Sequence, residues 1–303
     1  MTWEMYRWVW RLHSPIHIGY TPAGALNRTR LYIQARSMWA ALTAAIARQM
    51  IEQSFPDYSR VGQILQQGIR FTYLYPAEHV KDRWLAWLPC YLQEEQRIGP
   101  YWRREDGAVD PVSDRRFRQR LLHTQASTAI APDADAAEEG TLREVEYVMP
   151  YWCLEQGHTE PRPVAFVGYV FLKDTLDRRI CDLLFEIREL FIGGETRYGF
   201  GHLVLHPFSD QHPWEQGNIC FNAPVDLSQD EPGILQADHL LAHGSLPAAY
   251  AQGNWEIIVW WDWQTLQPTN KPFWQPGTRV SQSADQKLNF FIDHRGLWKS
   301  RTS

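Results

Sequence analysis

The chain has 303 residues, of which 44% are hydrophobic and 21% charged, and a formal net charge of -5 at neutral pH. This composition excludes a disordered chain, and the negative charge excludes a protein that coats nucleic acid through its overall field, so any contact with nucleic acid is local. No apolar run approaches the roughly 20 residues of a membrane-spanning helix, and the first residues do not form a secretory signal. We therefore expect a cytoplasmic protein with no membrane partner.

The sequence gives no indication of metal or cofactor chemistry. The four cysteines have no paired C-x-x-C spacing, which argues against a disulfide framework or a structural zinc site. His239 and His243 have the spacing of a metal-binding pair on a helix, but no third ligand accompanies them, and a solvated helix face is the better interpretation. The motifs of nucleophile elbows, zinc proteases and P-loops are missing from the sequence. We predict no cofactor and no metal.

The chain opens with a predicted strand and a polar loop. Residues 3–13 alternate apolar and polar side chains, which predicts a strand with one buried face and a polar face that meets either solvent or a ligand. The loop at 20–30 carries Arg28 and Arg30, both of which are candidates for phosphate contacts.

The first predicted helix begins at Met38, with Ser37 as its N-cap, and is rich in strong helix formers. Arg36 and Ser37 then lie at a helix start, where unpaired amides and the helix dipole favour an anion. An ordinary capped helix explains the same residues, so an anion site here is one of two interpretations.

The next segments indicate an α+β fold. Aromatic-rich runs within 69–92 predict strands, as do 145–150 and 164–172. A helix is predicted over 175–190, with Asp174 as its N-cap. The order of elements is compatible with a ferredoxin-like (RRM-like) βαββαβ domain over 1–206.

Two further regions complete the predicted organisation. Residues 94–146 form a polar insertion, which we expect to be a solvated excursion from the core and whose basic half could lie on an RNA backbone. Residues 207–303 form a smaller C-terminal domain, for which a second, degenerate ferredoxin-like domain is one interpretation, with a helix at 235–243 and a strand at 255–261. The arginines of the insertion are Arg103, Arg104, Arg115, Arg116, Arg118 and Arg120.

The stretch 192–205 is the most distinctive in the chain. Four glycines surround an arginine and a tyrosine, and a loop of this kind can present successive amides and one arginine to a phosphate. The alternative to a phosphate site is a glycine-rich turn that only connects a helix to a strand. The dinucleotide-binding fingerprint does not fit, because a strand follows where a helix should start. The loop and its flank contain Gly193, Gly194, Arg197, Tyr198, Gly199, Gly201 and His202.

Four segments carry a family resemblance. Residues 12–19 look like a first strand and turn, 32–42 like the start of a first helix, and 128–146 like the stretch before the central strands. Residues 193–201 look like a glycine-rich loop, which is the most specific of the four marks. Together they resemble the RAMP superfamily of CRISPR-associated RNA-binding proteins. One departure is a glutamine at 34, where the family usually has a proline.

The resemblance implies a particular subunit of a type III effector complex. The glycine loop lies in the middle of the chain, with a polar insertion before it and a second unit after it, which looks most like the subunit that caps the crRNA five-prime handle. The loop at 20–30 has no acidic residue, whereas backbone subunits that cut target RNA carry an aspartate there. The implied role is non-enzymatic and serves antiviral defence. The implied partners are the crRNA, the large polymerase-like subunit, the backbone RAMP subunits and, indirectly, target RNA.

Three alternatives remain at this point. One is a metal-independent endoribonuclease that processes repeat RNA with His13 or His17 as general base. The second is a backbone RAMP subunit of the same complex, and the third is a structural partner without RNA contact. In the handle-binding interpretation we expect Arg197 to be the most important RNA contact, because it lies inside the glycine loop. The other predicted contacts are Arg28, Arg30, Arg36, Ser37, Arg115, Arg116, Arg118, Tyr198, His202 and the four loop glycines.

Overall fold

The chain is built on a ten-stranded antiparallel sheet. The computed structural model describes residues 2–51, 55–153, 160–209, 212–261, 266–268, 271–281 and 288–301. The main elements up to residue 206 are β1 (Trp3–Leu12), α1 (Ala35–Gln49), α2 (Tyr58–Gly68), β2 (Ile69–Phe71), β3 (Tyr75–Val80), β4 (Arg83–Glu94), β5 (Arg97–Arg104), β6 (Val112–Ser113), α3 (Asp114–Gln119), β7 (Leu122–Ser127), β8 (Arg143–Val148), β9 (Ala165–Lys173), α4 (Arg178–Glu186), β10 (Glu189–Phe191) and β11 (His202–His206).

The strands of the large sheet follow the order β10, β11, β1, β9, β3, β4, β5, β6. In addition, β2 pairs with β9, and the short strand Glu215–Gln216 pairs with β1. Helix α1 packs against α2, α4, β2 and β10. Strands β7 and β8 form a separate sheet with the short strand Leu26–Asn27, and Ile130–Ala131 pairs with Ala136–Ala137. The predicted α+β class is confirmed as a mixed, sheet-rich fold with few helices. Within the described ranges, every helix is too short or too polar to cross a membrane.

Strand β1 is covered on both faces. Trp8 and Trp10 are each 1% exposed, and Trp8 stacks on Phe71 with ring centroids 5.8 Å apart. On the other face, the Arg7 guanidinium is 6% exposed and donates to Glu105 at 3.0 Å. The expectation that the polar face meets solvent or a ligand is therefore wrong at Arg7, because a buried carboxylate neutralises it, whereas Arg11 is exposed.

Both predicted helix starts differ from the structure by a few residues. Helix α1 begins at Ala35 after an extended Gln34, because Ala35 and Arg36 are themselves good helix formers, so Ser37 lies in the first turn and is not the N-cap. Helix α4 begins after Asp177, whose carboxylate accepts from the Ile180 amide at 3.2 Å. Asp174 accepts instead from the Thr2 amide at 3.0 Å. The N-cap predictions at Ser37 and Asp174 are therefore wrong.

The first half of the predicted insertion belongs to the core. Phe117, on α3, is fully buried and stacks on Trp102 with centroids 4.6 Å apart. The expected solvated excursion is wrong for this half, because its aromatic side chains close one end of the large sheet. The second half, beyond Leu122, is mainly exposed, as expected.

The C-terminal segment consists of short strands. The predicted helix at 235–243 is wrong: the Leu240 amide donates to Thr278 and the Val280 amide to Asp238, so this run is held by interstrand-type bonds. The predicted strand at 255–261 is interrupted at 257–258. The described part of this segment has no α-helix, which leaves it without the helices of a second ferredoxin-like domain. Its eight-stranded sheet contains Ile219–Cys220, Ala223–Asp226, Gly233–Ile234, Gly244–Ser245, Trp255–Glu256, Phe273–Trp274, Asn289–Ile292 and Trp298–Arg301.

A buried polar network joins this C-terminal segment to the large sheet. Glu256 forms an ion pair with Arg30, and both side chains are 10% exposed. The same carboxylate accepts from Nε2 of the fully buried His243 at 3.0 Å, which leaves Nδ1 to accept from the Tyr73 hydroxyl at 2.8 Å. Burial lowers the pKa of His243, so the imidazole is neutral. Although Glu256 is itself buried, its partners His243 and Arg30 lower the pKa of the Glu256 carboxylate to about 2.

We predict that Glu256→Gln destabilises the protein by about 3 kcal/mol at pH 7, because the Arg30 charge then stays buried without a carboxylate. The carboxylate of Glu256 titrates near pH 4.3 when unfolded and about 2 when folded, so its contribution is complete above pH 4.3 and lost as the pH falls toward 2. The difference in the free energy of unfolding between variant and wild type should therefore become smaller as the pH falls from about 4.3 toward 2. Urea unfolding midpoints measure it, with the exposed Glu139→Gln as control, and equal midpoints at pH 7 would contradict the prediction.

Candidate RNA interface

The glycine-rich loop is fastened to the turn that follows β1. The Gly194 amide donates to the His17 carbonyl at 2.9 Å and the Gly201 amide to the Pro15 carbonyl at 2.7 Å. The Ile192 amide donates to the Gly201 carbonyl at 3.0 Å and closes the loop on itself. The loop therefore has a fixed position relative to the first strand.

Two glycines are required by this close packing. Gly193 has φ 91° and a Cβ there would lie 2.3 Å from the His17 carbonyl oxygen. Gly201 has φ 79° and a Cβ there would lie 2.0 Å from the Ile192 carbonyl oxygen. Because a larger residue would meet backbone atoms, only glycine permits the loop to approach the turn after β1 at position 193 and to close on itself at position 201.

The loop amides are mostly used within the protein. The amides of Gly194, Gly199 and Gly201 all donate to backbone carbonyls. The prediction that the glycine amides form a row of donors for a phosphate is therefore wrong for these three residues. The glycines shape the loop, and the side chains at its tip are left to contact a ligand.

That tip is a short 3₁₀ turn, Thr196–Tyr198. Tyr198 is 76% exposed, and Arg197 is exposed with no hydrogen bond or ion pair to any residue that the structure describes. Glu195, just before the turn, forms an ion pair with Arg143 of β8 and anchors the tip to the insertion. The arrangement offers a free guanidinium and an aromatic ring on a fixed support.

A groove beside the tip brings together predicted residues from the first helix and the loop. Arg36, Ser37 and Gly193 line a cavity of about 580 Å³ between α1 and β10, together with Phe191 and Arg48. Its α1 side is formed mainly by alanines, so the floor is smooth. The Arg36 guanidinium donates to the Val259 carbonyl at 2.9 Å, and burial lowers the pKa of Arg36.

The two candidate catalytic histidines have different environments. His17 is buried, and its Nδ1 donates to the Glu146 carbonyl at 2.7 Å, which makes it a structural link between the first turn and β8. His13 is exposed, with its ring 5.6 Å from that of His202. Burial, and then the nearby Arg11 and His202, lower the pKa of His13. His202 stacks on Phe191 at 4.8 Å, and its Nε2 lies 3.2 Å from Glu189.

The remaining predicted arginines lie away from the groove. Arg28 and Arg30 line a second cavity of about 260 Å³ with Arg118, which forms an i, i+4 ion pair with Asp114 at 2.7 Å. Arg30 is already neutralised by Glu256, and Arg28 lies 5.4 Å from the Tyr20 ring. Arg116 lines a third cavity, and Arg115 is exposed on α3. The structure therefore divides the predicted contacts among three places.

Several residues of these sites carried no signal in the sequence. Arg48 is in the last turn of α1, and Arg162 follows a proline in a stretch without periodicity. Their places in the two cavities follow only from folding, because the other lining residues come from distant parts of the chain. Among the residues that the structure describes, no three metal-binding side chains come together.

The sequence has no match among family models or curated proteins. By structure, the chain is similar to one in the cryo-EM structure of the Type III-B Cmr-beta bound to cognate target RNA and AMPPnP, at 11% identity and a TM-score of 0.52, over 91% of this chain and 85% of that one. A weaker similarity, at 12% identity and a TM-score of 0.29, links 66% of this chain with 98% of Pyrococcus furiosus Cmr4 (Cas7). The first likeness shows that the two chains share a fold.

We predict that Gly201→Ala costs at least 2 kcal/mol more than Gly199→Ala, since the two differ in what a Cβ would meet. Gly199 also has a positive φ, of 85°, but a Cβ there has nothing within 4 Å, so its substitution carries backbone strain alone, about 1 kcal/mol. Urea unfolding midpoints of the two variants test the difference. Equal destabilisation would show that the contact with Ile192 does not constrain the loop.

Proposed function

We propose that the protein is a non-catalytic, crRNA-binding RAMP subunit of a type III CRISPR effector ribonucleoprotein. In this proposal it binds the five-prime handle of the crRNA through the tip of the glycine-rich loop and the groove beside α1. It bridges the large subunit to the backbone subunits and so serves antiviral defence.

The strand order supports a ferredoxin-like core for this subunit. In sequence, β1, α1, the β2–β3 pair, β9, α4 and β11 follow the order βαββαβ, with α2 and the insertion as additions. In space, β1 and β9 are the central pair, flanked by β11 and β3. The likeness to a chain of the Type III-B Cmr-beta structure spans 91% of the chain, which includes most of the C-terminal segment.

The observation that carries the proposal is the unpaired Arg197 beside an exposed Tyr198. Buried arginines of this protein are matched by carboxylates, as at Arg7 and Arg30, so their charges are neutralised internally. Arg197 has no such partner in the described chain and is held on a fixed turn. A guanidinium suits a phosphate and a phenol ring suits an unstacked base, which is the combination that single-stranded RNA requires.

We predict that Arg197→Ala weakens binding of a crRNA that carries its five-prime handle by about tenfold. It should also lower the slope of log affinity against log salt by close to one, because one phosphate contact is lost. Fluorescence anisotropy over a salt series measures both quantities. Arg60→Ala, an exposed arginine on α2, is the matched control and should bind as the wild type does.

The same titration separates handle binding from a purely structural role. RNA lacking the handle should bind more weakly than RNA carrying it, and the gap should shrink in Arg197→Ala. If that variant kept the wild-type affinity and salt slope for both RNAs, the handle-binding role would be refuted and a structural partner would be the better assignment.

The proximity of His13 to His202 favours one second candidate, the repeat-processing endoribonuclease. Two histidines can supply the base and the acid of metal-independent RNA cleavage, and this pair lies beside the glycine-rich loop. His17 is the weaker candidate for this chemistry, because its Nδ1 is already bonded to the Glu146 carbonyl.

For the proposed non-catalytic role we predict that purified protein leaves repeat RNA uncut over hours, at any pH between 6 and 8. Product analysis on denaturing gels tests this, with His13→Ala, His202→Ala and the exposed His212→Ala compared in parallel. A discrete product that both His13→Ala and His202→Ala abolish, and that His212→Ala retains, would establish the endoribonuclease instead.

A further inference from the structure

A cleft beside α3 gathers arginines from separate parts of the chain. It has a volume of about 840 Å³ and lies between β3, β5, α3 and the segment around 162. Its charged residues include Glu78, Arg97, Arg104, Arg116, Arg120 and Arg162. Arg104, Arg116 and Arg120 belong to the basic half of the insertion, for which the sequence suggested contact with an RNA backbone, whereas Arg97 and Arg162 were not among the predicted contacts.

A buried carboxylate lies at the centre of this cluster. Glu78 is 5% exposed and lies 3.5 Å from Arg104, 3.5 Å from Arg120 and 3.9 Å from Arg162. These separations are long for hydrogen bonds, and Oε1 of Glu78 has none within the described chain. The carboxylate therefore lies among three guanidinium groups at separations that are long for hydrogen bonds.

The cleft has an excess of positive charge. Five arginines line the cleft with the carboxylates of Glu78 and Asp110, and Arg104 is also bonded to Asp106 at 2.9 Å, so positive charge predominates among the lining residues. In a protein with a formal net charge of -5, a local surplus of this kind marks a site for an anion. Arg97 and Arg116 have no ion pair to any described residue.

The β7–β8 hairpin connects this cleft to the glycine-rich loop. At one end Leu122 is opposite Val148, next to α3, and at the other end Arg143 is paired with Glu195 of the loop. Each strand has six residues, which corresponds to about 17 Å at the usual rise. A single strand of RNA spans that distance with a few nucleotides.

Aromatic rings lie along this path. The His123 and Tyr147 rings are stacked with centroids 6.5 Å apart, and Tyr147 meets Phe200 of the glycine-rich loop edge to face at 5.3 Å. His123 is exposed, and Tyr147 and Phe200 are half-buried. Stacking surfaces next to a cationic groove are the features by which proteins bind single-stranded nucleic acid without reading its sequence.

We propose that the cleft around Glu78 is a second phosphate-binding site, which holds the backbone of single-stranded RNA continuing from the glycine-rich loop across the row His123, Tyr147 and Phe200. The proposal rests on the proposed RNA-binding function and extends its footprint. A free mononucleotide would need only the cleft, whereas the aromatic row between two cationic sites favours a continuous strand.

Anisotropy with single-stranded RNAs of increasing length tests this proposal. Wild-type affinity should rise with length until both sites are covered. The double variant Arg97→Ala/Arg116→Ala should bind long RNA about tenfold more weakly than the wild type, and its slope of log affinity against log salt should be lower by one to two. Its affinity for short handle RNA should equal that of the wild type. Tyr147→Leu, which keeps an apolar contact with Phe200, should also reduce the gain with length. Thermal unfolding midpoints of the variants that equal the wild-type midpoint would show that the variants are folded.

Two results would overturn the proposal. One is a double variant that binds long RNA with wild-type affinity and salt slope. The other is a double variant that loses AMP binding alone and retains the full gain with RNA length. A failure of the handle-binding function appears differently, as an Arg197→Ala variant with unchanged binding of short handle RNA.

Discussion

The buried ion pair between Arg30 and Glu256 is the constraint on which the rest of the structure depends. Two charges of low exposure are stable there only because each neutralises the other and His243 completes the hydrogen bonding. The Arg30 amide also donates to the Ile18 carbonyl, so the pair fixes the end of the first loop, five residues before α1 begins. The position of α1 sets one wall of the groove beside the glycine-rich loop. A contact between segments 226 residues apart thus determines the shape of the candidate RNA interface.

The glycine-rich loop owes its shape to glycines that lie close to neighbouring backbone atoms. Its glycines are where the resemblance predicts them, but three of their amides donate to carbonyls within the protein. Close packing against the turn after β1 explains Gly193 and Gly201 without any ligand. The consequence is that recognition by this loop depends on the side chains at its tip, which a glycine pattern does not reveal.

Sequence patterns predicted β1 and β9, and they placed the edges of these two strands within about one residue. Helix ends were less accurate, because Asp174 and Asp177 are equally suitable caps and the Thr2 amide engages the first of them. Helix α2 was not predicted, although Asp57 is a suitable N-cap and Val61 and Leu65 have helical spacing in the sequence. The local sequence pattern of 235–243 predicted a helix, but this run is hydrogen-bonded to 277–280. That tertiary contact cannot be inferred from the local pattern. The arginine cleft was unpredictable for the same reason, since Glu78 and Arg162 meet only in the fold.

The distribution of charge reconciles an acidic protein with RNA binding. Arginines in the interior are matched by carboxylates at Arg7, Arg30 and Arg70, so they contribute little field outside the protein. Arg197 at the tip of the glycine-rich loop and Arg97 and Arg116 in the cleft beside α3 are among the arginines without an ion pair to a described residue. A uniformly basic surface would hold any RNA in many registers, whereas two separate cationic sites favour a strand that reaches both. The net charge of -5 is therefore compatible with the proposed binding of RNA at these local sites.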